Sequence, residues 1–498
     1  MVVFIDTNAI SHIQRFLLGE DGSTTIPFLV GIVPITLVPL EEQIELSGLH
    51  LCLLKTEEVG IQLLENLTEA LALTGTQAVY IPTDKFHISY NFGYKDNFFL
   101  WNSQIISFIF RIFAAIEKKS MKQKIRIYTL TSELHDEKAV NAVTKAFLEG
   151  LGLTYELKGT DYSDYGSNGL HIIYVRTGGT EGIFLKLLPQ LLEKSSRPFY
   201  LLTSGKSNSL AASMEILSYL RQHYLKGEII HGSQPYITRR ITMLAKIEEA
   251  YQQLNGIRLG IIGKPSDWLI SSHADKEQVK ARLGIDIVDI PMLELLQTVG
   301  KGDTEDIDQS LKAITENYQL KGFTLRCFDL LTAVKNTGCF ALAKLNAEGI
   351  VAGCEGDVPA MLSMMIVRAL FGISGFQANP STINPETGEI LLAHCTIPLD
   401  MVERYELDTH FESGIGVGVR GFMKEGPVTI FKISGDLQRH FIAEGTLVRN
   451  QQKPDLCRTQ QIIQLADKTQ TSYFLTNPIG NHHIVLPGHH KELLEGLF

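Results

Sequence analysis

The sequence predicts an α/β protein with two doubly wound, Rossmann-like parallel-sheet domains followed by a C-terminal antiparallel, barrel-like β domain. From about residue 121, short β-branched runs alternate with amphipathic helical segments, which is the pattern of a parallel sheet covered by helices on both faces. The alternation restarts near residue 256. From about residue 376 it gives way to short strands joined by Gly and Pro turns, which indicates an antiparallel sheet or barrel.

The elements follow this order along the chain. The first α/β domain, assigned to 121–255, contains the strand-like runs KIRIYTL, HIIYVRTG and PFYLLTS and the helical runs EGIFLKLLPQLLEKS and NSLAASMEILSYLRQHYL. The second, 256–375, begins with RLGIIGKPSDWLISS and continues through IDIVDIP, GFTLRCF and GIVAGCEGD. The third, 376–498, contains EILLAHCTIP, GIGVGVRGF, GPVTIFKISGD and HFIAEGTLV.

The first 120 residues have a different character, because strands and helices do not alternate clearly there. We interpret 1–120 as an N-terminal extension of uncertain status, either an additional domain or coding sequence fused upstream of a protein that begins near Met121. Its most apolar window, 26–40, is about five residues short of a membrane-spanning helix and carries three prolines. We therefore expect a buried or irregular segment and no membrane partner.

Composition narrows the function classes. The chain has 498 residues and a net charge of -10, which argues against nucleic-acid binding because that would need a concentrated basic face. Its six cysteines form no CxxC pair, so they are expected to be reduced thiols. No basic start followed by an apolar core marks a secretory signal. These features predict a cytoplasmic protein.

Three glycine-containing turns each follow a strand and precede a helix. They are RTGGTEG (176–182), TSGKSNS (203–209) and GKPSDW (263–268), and none has the spacing of a nucleotide-binding motif. Tight βα turns explain all three. Ligands of doubly wound sheets nevertheless bind at the carboxyl ends of strands, so Arg176, Lys264 and Asp267 are candidate substrate contacts.

Two carboxylates stand at the junction of an apolar strand and an apolar helix in VAGCEGDVPAMLSMM (351–365). Glu355 ends the strand, where an unpartnered carboxylate would be costly. Asp357 has a simpler explanation as the N-cap of the helix, with Pro359 in the first turn. Glu355 has no comparable structural role, which makes it a candidate ligand.

Histidines occur at two positions that could complete such a site. His394 lies within the apolar strand EILLAHCTIP, and His482 and His483 precede a strand in NPIGNHHIVLPGHH. Neighbours in a strand point to opposite faces, so one of the pair could face a site while the other supports it. Oxygen and imidazole ligands together suit Mn²⁺ or another divalent cation.

The same segments resemble a known family. Glu355-Gly356-Asp357 after a strand of small residues, LLAHCTIP, GNHHIV and IGKPSDWLI are similar to motifs of the L-fucose isomerase and L-arabinose isomerase family, over roughly 121–498. The resemblance implies a Mn²⁺-dependent aldose–ketose isomerase that forms homo-oligomers, trimers or hexamers, with active sites between subunits.

The resemblance also implies roles for individual residues. Glu355 and His483 correspond to metal ligands, His394 to a mid-chain histidine ligand, and Asp357 to an acidic residue near the substrate. The family's second metal carboxylate has no counterpart, and Asn379 stands closest to its place. An amide oxygen can ligate a hard cation, but it brings no charge.

These observations predict a metal-dependent isomerase of a hexose, pentose or modified sugar that acts through a cis-enediol. Glu355 and Asp357 are the predicted acid–base residues. Glu355, His483, Asn379 and His394 are the predicted metal ligands, and His482 joins the substrate contacts. The missing carboxylate leaves an alternative: a sugar-binding or regulatory protein on the isomerase scaffold, with a weakened or lost metal site.

Overall fold

A computed structural model describes residues 2–6, 49–53 and 125–498. The strands Val2–Asp6 and Leu49–Leu53 pair with each other in antiparallel register. Apart from this pair, the predicted extension 1–120, including its apolar window 26–40, lies outside the described residues. Its status therefore remains a prediction.

The first α/β unit is a five-stranded parallel sheet with helices on both faces. Buried side chains of β1 and β3 alternate between two cores, one shared with α1 and α4 and the other with α2 and α3. The elements are β1 (Ile125–Leu130), α1 (Glu137–Glu149), β2 (Glu156–Gly159), β3 (Leu170–Val175), α2 (Glu181–Lys194), β4 (Phe199–Leu202), α3 (Ser209–Gln222), β5 (Gly227–Ile230) and α4 (Gln234–Leu254).

The second α/β unit is a four-stranded parallel sheet, again with apolar side chains buried on both faces. The elements are β6 (Arg258–Ile262), α5 (Lys276–Leu283), β7 (Asp286–Ile290), α6 (Met292–Thr298), α7 (Thr304–Asn317), β8 (Leu320–Leu325), α8 (Cys327–Val334), α9 (Cys339–Glu348), β9 (Val351–Cys354) and α10 (Val358–Phe371).

The strand order refines the predicted Rossmann-like topology. The first sheet has the strand order β2-β1-β3-β4-β5 and the second β7-β6-β8-β9. In each sheet the second strand of the unit lies on one side of the first strand, and all later strands lie on the other side. This is the doubly wound order of flavodoxin-like sheets, whereas a Rossmann sheet places two strands on the first side before it reverses. The prediction was therefore right about doubly wound parallel sheets and only approximate about their connectivity, which strand periodicity does not encode.

The C-terminal part contains a closed six-stranded antiparallel barrel, in the order β10-β11-β16-β15-β14-β17. Its interior row of apolar side chains alternates with an outer row that packs on the helices. The elements are β10 (Phe376–Asn384), β11 (Glu389–His394), β12 (Arg404–Asp408), β13 (Gly418–Phe422), β14 (Gly426–Ile433), β15 (His440–Asn450), β16 (Thr459–Leu465), α11 (Thr471–Thr476), β17 (His483–Pro487) and α12 (Lys491–Glu495). Strands β12 and β13 form a separate two-stranded sheet.

Helix α10 joins the second sheet to the barrel. Eleven of its fourteen residues are buried, because it packs against α4, the second sheet and strands β14 and β17. Ser363 in this helix accepts a hydrogen bond from the backbone N–H of Ile433, 3.1 Å away. This hydrogen bond holds the middle of α10 against the end of strand β14. Among the helices that the structure describes, none has the length and hydropathy to span a membrane.

A side-chain amide continues the second sheet at its edge strand β9. The Cys354 N–H donates to Gln377 Oε1 over 2.9 Å, and Gln377 Nε2 donates back to the Cys354 carbonyl over 3.2 Å. Gln377 belongs to barrel strand β10, so these two bonds connect the sheet to the barrel one residue before Glu355.

Candidate functional site

Glu355 leaves the second sheet in an unusual backbone conformation. Its φ is 61° and that of Gly356 is 72°, so the chain turns sharply between β9 and α10. A Cβ on Gly356 would lie 2.5 Å from the Lys264 carbonyl oxygen, which leaves space only for glycine beside the loop after β6. From the same loop, Ser266 donates its N–H to the Glu355 carbonyl over 2.9 Å. A left-handed glutamate is strained, and such strain concentrates at functional sites.

Three side chains from separate parts of the chain converge here. Glu355 Oε1 lies 3.6 Å from His394 Nε2 and 3.6 Å from His482 Nε2. His394 ends barrel strand β11, and His482 directly precedes β17. Each of the three offers one ligand atom, and these atoms all lie within 4.8 Å of one another.

The arrangement fits a divalent cation. Neighbouring ligands at about 2.1 Å from a metal lie roughly 3 Å apart when they meet at right angles. The 3.6 Å separations between the Glu355 oxygen and the two imidazole nitrogens are close to that value. His482 Nε2 is buried and has no hydrogen-bond partner among the described residues, so this nitrogen could bind a cation. One carboxylate and two imidazoles suit a divalent transition-metal ion.

Asp357 supports this group from behind. It is fully buried and forms the N-cap of α10, where Oδ1 accepts the Ala360 N–H over 2.8 Å. Its Oδ2 lies 2.9 Å from His482 Nδ1 and 3.2 Å from the Ser272 hydroxyl. These contacts use both oxygens and leave no exposed surface for a sugar. They favour an orienting role over the predicted acid–base role, and they fit the N-cap interpretation.

Of the two adjacent histidines, the structure brings His482 beside Glu355. His482 faces Glu355, whereas His483 lies among barrel residues, with Nε2 3.0 Å from the Tyr473 hydroxyl and Nδ1 2.9 Å from the Asn481 carbonyl. His483 was the predicted ligand and His482 the predicted substrate contact. Because successive strand residues face opposite sides, only one of the two adjacent imidazoles can face Glu355, and the predicted ligand role of His483 stays a prediction.

Electrostatics favour a negative Glu355 beside a positive His482 in the absence of a cation. Burial raises the pKa of Glu355, but His482 and His394 outweigh it and hold the pKa well below its usual range. Burial lowers the pKa of His482, but the Glu355 and Asp357 carboxylates raise it to about 9. Burial lowers the pKa of His394, so this imidazole is neutral and available as a ligand.

Asn379 lies on the barrel strand beside the one that ends in His394. It is half-buried on β10 and pairs with Ala393, the residue before His394. Gln377, two residues earlier on the same face of the strand, reaches Cys354. The Asn379 Oδ1 atom is buried and has no hydrogen-bond partner among the described residues. Its role as a further ligand stays a prediction.

The predicted substrate contacts from the glycine turns lie in two places. Arg176, at the end of β3, donates to Thr131 Oγ1 and to Asn141 Oδ1 over 2.6 Å each, and is not part of the Glu355 group. Lys264 and Asp267 form an exposed ion pair of 3.3 Å in the loop after β6. That loop also contacts Glu355, so these two residues stand beside the candidate site.

Sequence reasoning missed two residues that contact the site. Trp268 Nε1 donates to Glu355 Oε2 over 2.8 Å, while its ring is about half exposed. Lys432, fully buried on β14, lies 3.5 Å from both oxygens of Asp357. Trp268 belongs to the GKPSDW turn, and Lys432 is a lone cation in the apolar run VTIFKI, which was the available signal.

The Trp268 ring also begins an aromatic cluster. It packs edge-on against Phe328 with centroids 4.9 Å apart, and Phe328 packs against His410 at 5.8 Å. The connection between β12 and β13 carries His410, so the cluster joins residues from three segments and reaches Glu355 through Trp268. Such a rim offers both an apolar face and polar edges to a ligand.

Comparison with known proteins finds relatives among sugar isomerases. The chain is 21% identical over 262 residues to sulfoquinovose isomerase of Priestia aryabhattai, which covers 46% of this chain and 59% of that protein. It is 20% identical over 261 residues to sulfoquinovose isomerase of Alkalicoccus urumqiensis, covering 45% and 59%. The same named enzyme of Clostridium sp. (strain MSTE9) is 23% identical over 252 residues, covering 45% and 54%.

The chain thus matches less than two thirds of the length of these curated relatives. No family model matches the chain. The relatives' names agree with the sugar-isomerase chemistry to which the sequence motifs point.

Proposed function

We propose that this protein is a metal-dependent aldose–ketose isomerase. The observation that carries the proposal is the convergence of Glu355, His394 and His482, which come from the second sheet and from two barrel strands. One partly exposed carboxylate and two buried imidazoles are a typical donor set for a divalent cation. The sugar isomerases among the relatives supply the reaction class.

Glu355, His394 and His482 would hold the ion, with Asn379 as a further ligand or substrate contact. A bound Mn²⁺ supplies a positive charge that polarises adjacent sugar oxygens and stabilises enediolate charge. The reaction proceeds through a cis-enediol and moves one hydrogen from C2 to C1 and one from the C2 hydroxyl to the C1 carbonyl oxygen. It therefore consumes no external oxidant or reductant.

In this proposal Glu355 carries the proton between C1 and C2. It suits that role better than Asp357, because its side chain is 12% exposed whereas Asp357 is fully buried. The Trp268 N–H binds Oε2 and leaves Oε1 facing the two imidazoles. The half-exposed Trp268 ring would cover the apolar face of the sugar and shield the reacting carbons from water.

The proposed substrate is an aldose with an anionic, sulfonated substituent. This choice rests on the names of the relatives, each called sulfoquinovose isomerase. Unsubstituted hexoses and pentoses are the comparison substrates. We further propose a homo-oligomer in the cytoplasm, trimeric or hexameric; light scattering after size-exclusion chromatography would give the mass of the assembly and test that state.

A second candidate is a sugar-binding or regulatory protein on the same scaffold. The neutral Asn379, in a place where the resembling family has a carboxylate, favours it, because the site then lacks one negative charge. Titration calorimetry distinguishes the two candidates. Sugar binding that is unchanged by a chelator, together with no turnover, would support the binding protein.

The experiment compares neighbouring histidines in one assay. The purified full chain, loaded with Mn²⁺, is incubated with sulfoquinovose and with unsubstituted aldoses, and ketose formation is followed by NMR. We expect turnover by the unaltered protein, loss of Mn²⁺ binding and turnover in His482→Gln, and retained Mn²⁺ binding in His483→Gln. His483→Gln is the matched control because it removes the same side chain one residue away.

Two results would overturn the proposal. One is an unaltered protein that forms no ketose from any aldose and contains metal only at background. The other is a His482→Gln variant that binds Mn²⁺ as tightly as the unaltered protein, since the ion would then be held elsewhere.

A further inference from the structure

The buried lysine of the barrel is outside the proposed chemistry. Lys432 is on β14, where its neighbours Phe431 and Ile433 face the helices and Lys432 shares the interior row with Ile430. The lysine is fully buried. A charged ammonium in a barrel interior is strongly unfavourable unless it is paired, so its presence here needs a partner.

Its one hydrogen-bonding partner among the described residues is Asp357. The Lys432 Nζ atom lies 3.5 Å from each carboxylate oxygen, and both side chains are fully buried. Asp357 in turn accepts from the first turn of α10 and lies 2.9 Å from His482 Nδ1. Lysine, carboxylate and imidazole therefore form one connected chain of contacts that ends at the nitrogen facing Glu355.

We propose that Lys432 is a positioning residue for the metal site. It supplies the positive charge that holds the Asp357 carboxylate in place from the barrel side, and Asp357 fixes the ring of His482 so that Nε2 points at Glu355 Oε1. The inference rests on the proposed function, because it assigns a support to a ligand of that site. Carboxylates that orient a ligating histidine typically change metal affinity 10–100-fold, and Lys432 acts one contact further out.

The arrangement excludes a direct role for Lys432 on the substrate. The ammonium has no exposed surface, and Asp357 and His482 lie between it and Glu355. Removal of its charge should therefore alter how well the site holds an ion, and it should act only through Asp357.

The test is a double-mutant cycle on metal affinity. Lys432→Met retains the stem of the side chain and removes its charge, and Asp357→Asn removes the contact through which it acts. Metal-free full-length proteins are titrated with Mn²⁺ in a calorimeter. We expect about 10-fold weaker binding for Lys432→Met. In the Asp357→Asn background the same change should have no further effect.

A control variant separates this role from the loss of an ion pair elsewhere. Lys344 Nζ, on a side chain about one third exposed in the second α/β unit, lies 2.6 Å from the buried carboxylate of Asp308, which Lys312 also contacts at 3.1 Å. Lys344→Met should lower thermal stability and leave Mn²⁺ affinity unchanged. If Lys432→Met fails to fold, we would use the double variant Lys432→Met and Asp357→Asn, which removes both charges together. Its Mn²⁺ affinity is then compared with that of Asp357→Asn alone.

A second measurement needs no metal. NMR of protein labelled with ¹⁵N-histidine detects the hydrogen-bonded Nδ1 proton of His482, and the absence of this signal in His482→Gln assigns it. The signal should be present in the unaltered protein and in Lys344→Met. It should be lost or broadened in Lys432→Met.

The outcomes separate the two proposals. Unaltered protein that binds no Mn²⁺ overturns the metal site, and the proton signal then decides the role of Lys432. Three results would overturn the inference and leave the proposed function intact. Lys432→Met could bind Mn²⁺ as tightly as the unaltered protein, or it could keep the Nδ1 proton signal of His482. The third is a Lys432→Met change that weakens Mn²⁺ binding in the Asp357→Asn background as much as it does alone.

Discussion

Glycine should be a better replacement for Glu355 than alanine, in reverse of the usual order. Glu355 has a φ of 61°, where an L-residue is less stable by about 1–2 kcal/mol and glycine is not. Glycine loses about 0.5–1 kcal/mol relative to alanine through its greater freedom in the unfolded chain. The difference predicts that Glu355→Gly is about 1 kcal/mol more stable than Glu355→Ala, although both variants lack the carboxylate.

The assay is urea unfolding followed by circular dichroism, in the presence of a chelator so that metal binding does not contribute. The control pair is Glu215→Gly and Glu215→Ala, at an exposed position inside α3. There glycine should be about 1 kcal/mol less stable than alanine. If Glu355→Ala is at least as stable as Glu355→Gly, the left-handed conformation stores no strain and the reasoning fails.

Three further predictions concern the same site. Mn²⁺ at 100 times its Kd should stabilise the protein by about 2.7 kcal/mol, seen as a raised Tm that EDTA reverses and that is absent in His482→Gln. Trp268→Phe retains a ring but removes the N–H on Glu355, so Mn²⁺ titration should give several-fold weaker binding. Burial lowers the pKa of His483 to about 3, so only the unfolded chain gains this proton as the pH falls below about 6.5. The free energy of unfolding that is present above pH 6.5 should therefore fall by about 1.4 kcal/mol for each pH unit down to pH 3. Urea unfolding should show a weaker dependence of this free energy on pH in His483→Gln.

The order of architectures was predictable because periodicity reports burial. Strand-like runs between long amphipathic helices mark parallel sheets buried on both faces, and short strands with Gly and Pro turns mark the barrel. The order of strands within each sheet was not predictable in this way. It depends on which side each crossover takes, and the amphipathic pattern of a helix such as α2 is the same for either side.

The candidate site was predictable as a set of residue types and less so as a set of contacts. Glu355 was identified because an apolar strand ended in a carboxylate without a structural role, and the structure brings it beside His394. The choice between His482 and His483 depends on which face of β17 meets α10, and this is a tertiary property. Lys432 and Trp268 contact the site across long distances in the chain, so local patterns gave no reason to group them with Glu355.

The amide of Gln377 has a consequence for the spacing of the whole site. It takes the place of a fifth strand at the edge of the second sheet, and it does so from the barrel strand next to the one that carries His394. This side chain is therefore one of the contacts that set the gap between the Glu355 carboxylate and the His394 imidazole. Asparagine carries the same amide but is shorter by one methylene, so it could keep both bonds only if the sheet and the barrel moved closer together.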